Sequence, residues 1–466
     1  MRLARRAFLA AVLALAAGWV VVDLPSSVAL AVGAGCFATS LWLQAPMIAL
    51  YGLAAICPFE LSYQVAGLSD VRVHDVLLIA LAVPAAVAVV SRSPRRLRLK
   101  MPLARVLMIL WVFLLVWGSI TFLLGPVNQW LLRDALHNAW YVYRDLGRSL
   151  LIFPLVLVCC EDGRSVERIL GVLVLVATGV ALYAIWLARE SAENATGHFG
   201  TTNALAGFLI LVIPFAMTRV LTHDSRRIRV LHAMALVVML RALWLAGSRG
   251  GLVACLASLG VLATLVPRRR AVAAAMAGLA VLSMVVALRG GTQDLPMIKR
   301  FIVLTNVQEV ETFQWRQEQW GLFIQRIRER PWLGTGSDVD ESMREMDRAR
   351  TAHNAFLSLS VKSGLPAAAA WVVVLLLVLG VAIRGIMKEA DSHRRAFWIG
   401  SLGFLVALLV HNMVESTLIS VVTQHIFWIV TASALILSKE DGARAVAARE
   451  TARGLHPVEG RGMIGA

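Results

Sequence analysis

Apolar runs long enough to cross a lipid bilayer follow one another along nearly the whole chain, and this feature constrains its fold most. A hydrocarbon core of roughly 30 Å needs about 20 apolar residues in helical form. The candidate segments lie near 7–22, 28–43, 45–58, 74–90, 103–124, 146–160, 167–187, 203–221, 229–247, 250–266, 271–288, 365–384, 396–411 and 418–437. Because several are short, the sequence predicts an all-α, polytopic membrane protein with about 12 to 14 transmembrane helices.

The composition agrees with this fold class. Hydrophobic residues make up 59% of the 466 residues and charged residues only 16%, against roughly 25% charged in soluble domains. The net charge of +16 would indicate nucleic-acid binding in a soluble protein. No nucleic-acid-binding motif accompanies the charge, which falls largely in short loops, and we therefore predict no nucleic-acid partner. The five cysteines, at 36, 57, 159, 160 and 255, lie within or at the ends of apolar segments and are interpreted as small buried residues.

The basic residues predict the orientation of the chain in the membrane. With the N-terminus inside, arginine and lysine gather in alternate loops, at 92–100, 164–168, 226–229, 268–270 and 384–395. This pattern follows the positive-inside rule, so we predict that both termini are cytoplasmic. The first apolar run, 7–22, is interpreted as a retained helix because no clear cleavage site precedes Asp23.

The same topology divides the chain into four parts. They are transmembrane helices in 1–288, a long outer loop at 289–364, further transmembrane helices in 365–437 and a tail at 438–466. Within the loop, Trp320, Phe323 and Ile327 recur at helical spacing, which predicts an amphipathic helix over 307–330. Pro331 ends that helix, and a second polar helix is predicted over 338–350.

Five arginines fall on the predicted outer side, against the charge rule. They are Arg144, Arg148, Arg189, Arg249 and Arg316. Arginine at a membrane boundary is costly unless it is paired or functional, and guanidinium groups bind phosphate oxygens in a bidentate manner. The group therefore favours an anionic ligand, although Arg249, within Gly247–Gly251, also fits a simple hairpin turn.

Histidine and other polar side chains also lie at outer helix ends. His353 can act as a general base near neutral pH, or it can be a structural residue before a helix that Asn354 caps. Two more polar groups fit either function or helix capping and interhelical hydrogen bonding. They are His198, Thr202 and Asn203, and His411, Asn412 and Glu415.

Several motifs resemble those of the O-antigen ligase and O-antigen polymerase superfamily. In chain order they are Gly197-His-Phe-Gly-Thr-Thr-Asn, Gly247-Ser-Arg-Gly-Gly, Arg316 with Trp320, Arg330-Pro-Trp-Leu-Gly-Thr-Gly, His353-Asn-Ala-Phe-Leu and Ser363-Gly-Leu-Pro. Each is short, but their order and topology over 197–366 are specific. The resemblance implies a multi-membrane-helix (GT-C-like) glycosyltransferase in the bacterial inner membrane, with its active site facing the periplasm.

The resemblance also implies substrates and roles. The donor would be a glycan on undecaprenyl diphosphate, and the acceptor lipid A–core oligosaccharide, in lipopolysaccharide biosynthesis. Arg249, Arg316 and His353 would be catalytic, with the arginines on the diphosphate and the histidine on the acceptor hydroxyl. Secondary candidates for substrate binding are Arg144, Arg148, Arg189, Asn354 and Asn203. Neither a metal-ligand set nor a cofactor motif is visible, so we predict metal-independent chemistry without a cofactor.

Two alternatives remain open from the sequence. A polymerase of O-antigen or exopolysaccharide shares the motifs and would extend a lipid-linked repeat unit instead. A polysaccharide or lipid transporter is the other, and it predicts paired half-repeats with charges near the midplane. Only Arg241 lies that deep in a segment, and the remaining polar residues gather at one face. The long loop placed late in the chain favours the ligase.

Overall fold

A computed structural model describes residues 46–56, 58, 62–65, 68–72, 75, 78, 102–124, 147–160, 162–191, 194–266, 311–336, 352–389 and 391–452. The elements are α1 (Pro46–Ile56), β1 (Ser62–Val65), β2 (Leu68–Arg72), α2 (Pro102–Leu124), α3 (Arg148–Cys159), α4 (Gly163–Ser191), α5 (Thr202–Thr222), α6 (Arg226–Ala246), α7 (Arg249–Leu265), α8 (Glu311–Glu329), α9 (Ala355–Lys388), α10 (Ser392–Asn412) and α11 (Val421–Ala452). Short 3-10 turns lie at Gly197–Phe199 and Thr417–Ile419.

The helices confirm the predicted fold class. Within the described ranges, seven helices are long and apolar enough to cross a membrane, namely α2, α4, α5, α6, α9, α10 and the first part of α11. The chain is therefore an all-α polytopic membrane protein. The predicted segments 7–22, 28–43 and 271–288, most of 74–90, and the predicted helix 338–350 lie outside the described residues.

A small hairpin accompanies the helices. Strands β1 and β2 pair antiparallel, with Ser62 opposite Arg72 and Tyr63 opposite Val71. These strands are not predicted from the sequence, because alternation over four or five residues is too short to distinguish a strand from a loop.

Two helices extend into parts of the chain that were predicted as the outer loop and the tail. The long outer loop is predicted to reach 364, but α9 begins at Ala355, since the Asn354 side chain accepts from the backbone N–H groups of Phe356 and Leu357 and so caps the helix. At the other boundary, α11 continues to Ala452, well into the predicted tail.

Helix α10 is central to the bundle, where it packs along α5, α7 and α9. Small residues allow this close approach. A Cβ atom at Gly251 of α7 would lie only 2.7 Å from the Cβ of Ala206 on α5, and one at Gly403 of α10 would overlap Leu262 of α7. Helices in membranes associate through such small-residue contacts, because lipid offers no hydrophobic drive between them.

Helix α9 has a sharp kink at Gly364, where φ is +77°. A Cβ atom there would overlap the backbone oxygen of Trp332, so only glycine fits both the dihedral angle and the contact. The kink exposes backbone groups that a straight helix would satisfy internally. One of them, the carbonyl of Ser363, accepts from Nε1 of Trp117 at 3.1 Å.

The segment 331–336 docks against this kink. Backbone N–H groups of Thr335 and Gly336 donate to the carbonyls of Val361 (2.8 Å) and Lys362 (3.0 Å), and Leu365 donates to Pro331 (2.8 Å). The end of α8 is thereby attached to α9. This contact explains the glycines after α8 and in the Gly-Leu-Pro sequence of α9, because the two backbones approach each other closely there.

Candidate active site

A buried carboxylate at one end of the bundle joins three of the predicted site residues. Glu415 follows α10 and is 7% exposed. Its Oε1 accepts from Nη2 of Arg316 at 2.8 Å and from Nδ2 of Asn203 at 2.6 Å, and its Oε2 lies 3.0 Å from Nδ1 of His353. Residues that are far apart in sequence, on α5, on α8 and before α9, therefore meet at one side chain. Asn203, Arg316, His353 and Glu415 are called the Glu415 cluster below.

Arg316 reaches the cluster because α8 is fixed against the start of α9. One turn after Arg316, the indole N–H of Trp320 donates to the backbone carbonyl of Ala352 at 2.7 Å. One turn further, Phe323 is fully buried in a small apolar cluster with Ala352 and Val361. The predicted amphipathic pattern of α8 therefore determines which face carries the arginine.

His353 adopts a backbone conformation that is unusual for its residue type. Among the described residues other than glycine, only His353 has a positive φ, which is +45°. This left-handed geometry costs about 1 kcal/mol for a residue with a Cβ. Asn354 holds this turn, since it caps α9 and its Nδ2 donates to the carbonyl of Met413 at 3.2 Å. Both residues are thus tied to the segment that carries Glu415.

The hydrogen bond to Glu415 also assigns the protonation of the imidazole. An ionised carboxylate only accepts hydrogen bonds, so Nδ1 of His353 carries the proton. In the neutral ring, Nε2 then bears the lone pair. The His353 side chain is 25% exposed, and a neutral imidazole nitrogen with a lone pair is the group that a general base requires.

Arg249 begins α7 beside the cluster. The preceding Gly247 has φ of +68° and ends α6, so the predicted tight turn is present. Ser248 caps α7 by accepting from the backbone N–H of Gly251, and its hydroxyl donates to Oδ1 of Asn203 at 2.8 Å. Asn203 therefore links the start of α7 to Glu415. Arg249 directly follows Ser248, whose hydroxyl is hydrogen-bonded to the cluster.

The other candidate arginines lie elsewhere. Arg148 is 1% exposed, its Nε lies 3.3 Å from Oδ1 of Asp75, and its carbonyl accepts from Nε2 of His425, which indicates a structural ion pair. Arg189 is exposed in the last turn of α4. Arg144 lies outside the described residues.

The polar residues near the outer end of α10 have different roles. Glu415 was grouped with His411 and Asn412 in the sequence, but it was not among the predicted site residues. The feature of the sequence that could have identified Glu415 is an acidic residue shortly after an apolar helix, since a buried charge there requires a partner. His411 and Asn412 bond to Thr417 and to the backbone of Leu418, and so order the α10–α11 connection.

The charges of the site suit an anion. Arg249 and Arg316 supply two positive charges and Glu415 one negative charge, so these three side chains leave one net positive charge. The described residues contain no group of three or more His, Cys, Asp or Glu that could hold a metal ion.

Comparison with known families finds a match over part of the chain. Residues 234–372 match the family model described as O-Antigen ligase (Wzy_C). Over these 139 of its 466 residues, the chain is similar to the O-antigen ligase family. The matched region includes Arg249, Arg316, His353 and Asn354, whereas Asn203 and Glu415 lie outside it. No curated protein matches the chain.

The family defines the class of chemistry. O-antigen ligase family proteins are multi-pass bacterial membrane enzymes of the glycosyltransferase type, in the ligase and polymerase superfamily, and their substrates are lipid-linked glycans. The matched region contains Arg316 and His353, and Glu415, which follows α10 outside that region, holds both of them.

Proposed function

We propose that this protein is an O-antigen ligase, which transfers a glycan from undecaprenyl diphosphate to lipid A–core oligosaccharide at the periplasmic face of the inner membrane. One observation carries the proposal. Arg316 and His353, an anion-binding group and a base, are held by the same carboxylate of Glu415 at 2.8 and 3.0 Å. A glycan transfer from a diphosphate needs these two groups close together.

The arginines would act on the leaving group. As the bond between the anomeric carbon and the diphosphate oxygen breaks, its electron pair goes to that oxygen, and negative charge builds up there. Arg316 and Arg249 would stabilise this charge. Because the donor already carries an activated diphosphate, no nucleotide site is needed.

His353 would act on the acceptor. Its Nε2 would take the proton from the attacking sugar hydroxyl while the hydroxyl oxygen forms the new glycosidic bond. The ion pair with Glu415 would then stabilise the imidazolium, since the carboxylate lies beside Nδ1–H. Release of undecaprenyl diphosphate and return of the proton to solvent complete the cycle.

The distribution of charge supports the proposed orientation. The Glu415 cluster lies at the end of the bundle where α5 begins and α10 ends. The 21 residues of α5 span roughly 30 Å, and the opposite end carries the basic loops with Arg226, Arg227, Arg394 and Arg395. Since basic loops stay in the cytoplasm, the cluster would face the periplasm and both termini the cytoplasm.

A transfer assay with two acceptors tests the proposal. Purified protein receives undecaprenyl-diphosphate glycan with rough lipid A–core in one reaction and with a second lipid-linked repeat unit in another. Glycan on lipid A–core is the expected result. Longer lipid-linked chains would identify a polymerase instead, and transfer in neither reaction would reject the glycosyltransferase assignment in favour of transport.

A further inference from the structure

Trp315 presents an exposed aromatic ring directly beside the proposed base. It lies on α8, one residue before Arg316, and is 40% exposed. Its ring centroid is 5.4 Å from that of His353, and the two planes are inclined at 64°. Rings that meet at this angle share an edge-to-face contact, which leaves at least one face of the indole uncovered by the imidazole.

Two other large aromatic side chains of α8 have partners that explain their positions. Trp320 donates its indole N–H to the carbonyl of Ala352, and Phe323 is fully buried. These two residues attach α8 to the start of α9. Trp315 lies one turn before this attachment, so its ring is held by a fixed helix while its face stays accessible.

We propose that the exposed face of Trp315 binds a pyranose ring of the acceptor glycan by stacking. The face of an aromatic ring is electron-rich, and the axial C–H bonds of a sugar carry partial positive charge, so the two surfaces attract each other and exclude water. A rigid indole supplies this area at low entropic cost. The inference rests on the proposed function and adds a sugar-binding site to it.

The position of Trp315 assigns the site to the acceptor and not to the donor. The acceptor is the substrate whose hydroxyl loses a proton to Nε2 of His353, so its reacting ring must lie against the imidazole. Trp315 contacts this same imidazole. Arg316, which would bind the diphosphate of the donor, reaches the cluster from α8, and Arg249 begins α7.

A membrane-anchoring role for Trp315 predicts different behaviour. Tryptophan is common at the membrane interface, where it stabilises the position of a helix in the bilayer. Loss of an anchor would lower insertion or thermal stability without changing the affinity for a sugar. Substrate affinity therefore separates the two roles.

Steady-state kinetics with variants test the proposal. Trp315→Leu and Trp315→Gln both remove the aromatic face, and we expect the acceptor KM to rise about tenfold with kcat and donor KM nearly unchanged. Trp315→Phe keeps an aromatic face and should stay within about threefold of the wild type. Trp332→Leu is the matched control, since Trp332 lies in the same loop and is 70% exposed. An unchanged acceptor KM in both non-aromatic variants overturns the proposal.

A binding measurement separates this inference from the proposed function. Saturation-transfer NMR with delipidated core oligosaccharide and with soluble repeat-unit oligosaccharide, on the His353→Ala protein, reports contact without turnover. We expect saturation of one face of a sugar ring, and its loss when Trp315→Leu is added. If the wild-type protein transfers no glycan in the two-acceptor assay but this binding is seen, the proposed reaction is rejected and the sugar site is retained. Equal saturation with and without Trp315 would reject the sugar site alone.

Discussion

Nδ1 of His353 lies 3.0 Å from Oε2 of Glu415, across 62 residues of sequence. This contact determines which imidazole nitrogen carries the proton and leaves the lone pair on the other. The other oxygen of the carboxylate holds Arg316 at 2.8 Å. A single buried side chain therefore positions both the base and an anion-binding group of the proposed reaction.

Replacing Glu415 by Gln tests this arrangement. The amide nitrogen cannot accept from Arg316 or His353, so at least one donor loses its partner, at a cost of about 2 kcal/mol. We expect kcat to fall at least 100-fold, because the tautomer and position of the base are no longer held. Transfer of glycan to acceptor, measured on protein of normal insertion level, gives the answer.

Glu167→Gln is the control for that substitution. Glu167 lies at the opposite end of the bundle, and its carboxylate is 48% exposed at 3.7 Å from Arg219. A loose, exposed pair of this kind contributes little, so activity should stay within about twofold. Equal activity of the two glutamine variants would show that Glu415 does not position the site.

Substitutions of His353 separate its chemistry from its backbone strain. Asn tolerates positive φ better than most residues, so His353→Asn keeps the turn and removes the base. We expect loss of transfer by at least 100-fold with normal insertion. His353→Gly should also be inactive, and its unfolding midpoint should lie above that of His353→Ala, because both lose the hydrogen bond to Glu415 but only alanine keeps the strain at φ of +45°. Activity close to wild type in the Asn variant would exclude the base role.

Replacing Arg249 by Ala tests the proposed diphosphate site. Because the guanidinium would stabilise the leaving group as charge develops, kcat should fall by about 100-fold or more, and donor KM should rise as well. Arg249→Lys keeps the charge but not the bidentate geometry, so we expect partial activity. Arg164→Ala, at the opposite end of the bundle, is the control, and an equal loss there would indicate a general defect of folding.

Much of the fold could be predicted from the sequence because bilayer thickness limits the length of an apolar helix. The segment predicted at 203–221 became α5 (Thr202–Thr222), and the one at 229–247 became α6 (Arg226–Ala246). The kink at Gly364 was not predicted. It depends on the docking of 331–336, which is a tertiary contact that hydropathy does not report.

The candidate site shows the same limit. Arg249, Arg316 and His353 were predicted from their residue types and motif positions, and the structure brings Arg316 and His353 to one carboxylate. Glu415 was noticed as a polar residue, but its three partners come from distant parts of the chain, so sequence spacing could not identify it. Arg148 was a candidate ligand, but it is buried beside Asp75 because the fold closes over both.

Gly364→Ala tests the docking of the loop on α9. The new methyl group would overlap the backbone oxygen of Trp332, and the residue would keep an unfavourable φ of +77°. We expect a loss of about 3 kcal/mol in stability from clash and strain together, together with faster proteolysis of the segment between α8 and α9. Gly380→Ala is the control, because nothing lies within 4 Å of its Cβ position. Similar unfolding midpoints for both variants would show that the kink is not specific for glycine.

The pH dependence of stability should include a contribution from His223, in the connection between α5 and α6. Burial lowers the pKa of His223, helped by the charge of Arg219 and by His393, against a smaller opposite effect of Glu167. The neutral ring accepts the backbone N–H of Ser225 at Nδ1. Above about pH 6.5 the imidazole is neutral whether the chain is folded or not. As the pH falls below that value, the unfolded chain takes up a proton first, so this part of the stability is lost until the folded pKa is passed.

His223→Asn removes this titration and keeps an acceptor near the Nδ1 position. The unfolding midpoint, measured in one detergent between pH 7.5 and 5, should therefore fall less steeply for His223→Asn than for the wild type. The two proteins should be closest in stability at pH 7.5, where neither carries a charge at residue 223. Parallel curves over the whole range would mean that His223 takes up its proton equally in the folded and unfolded chains, and the acid sensitivity would then have to come from other groups.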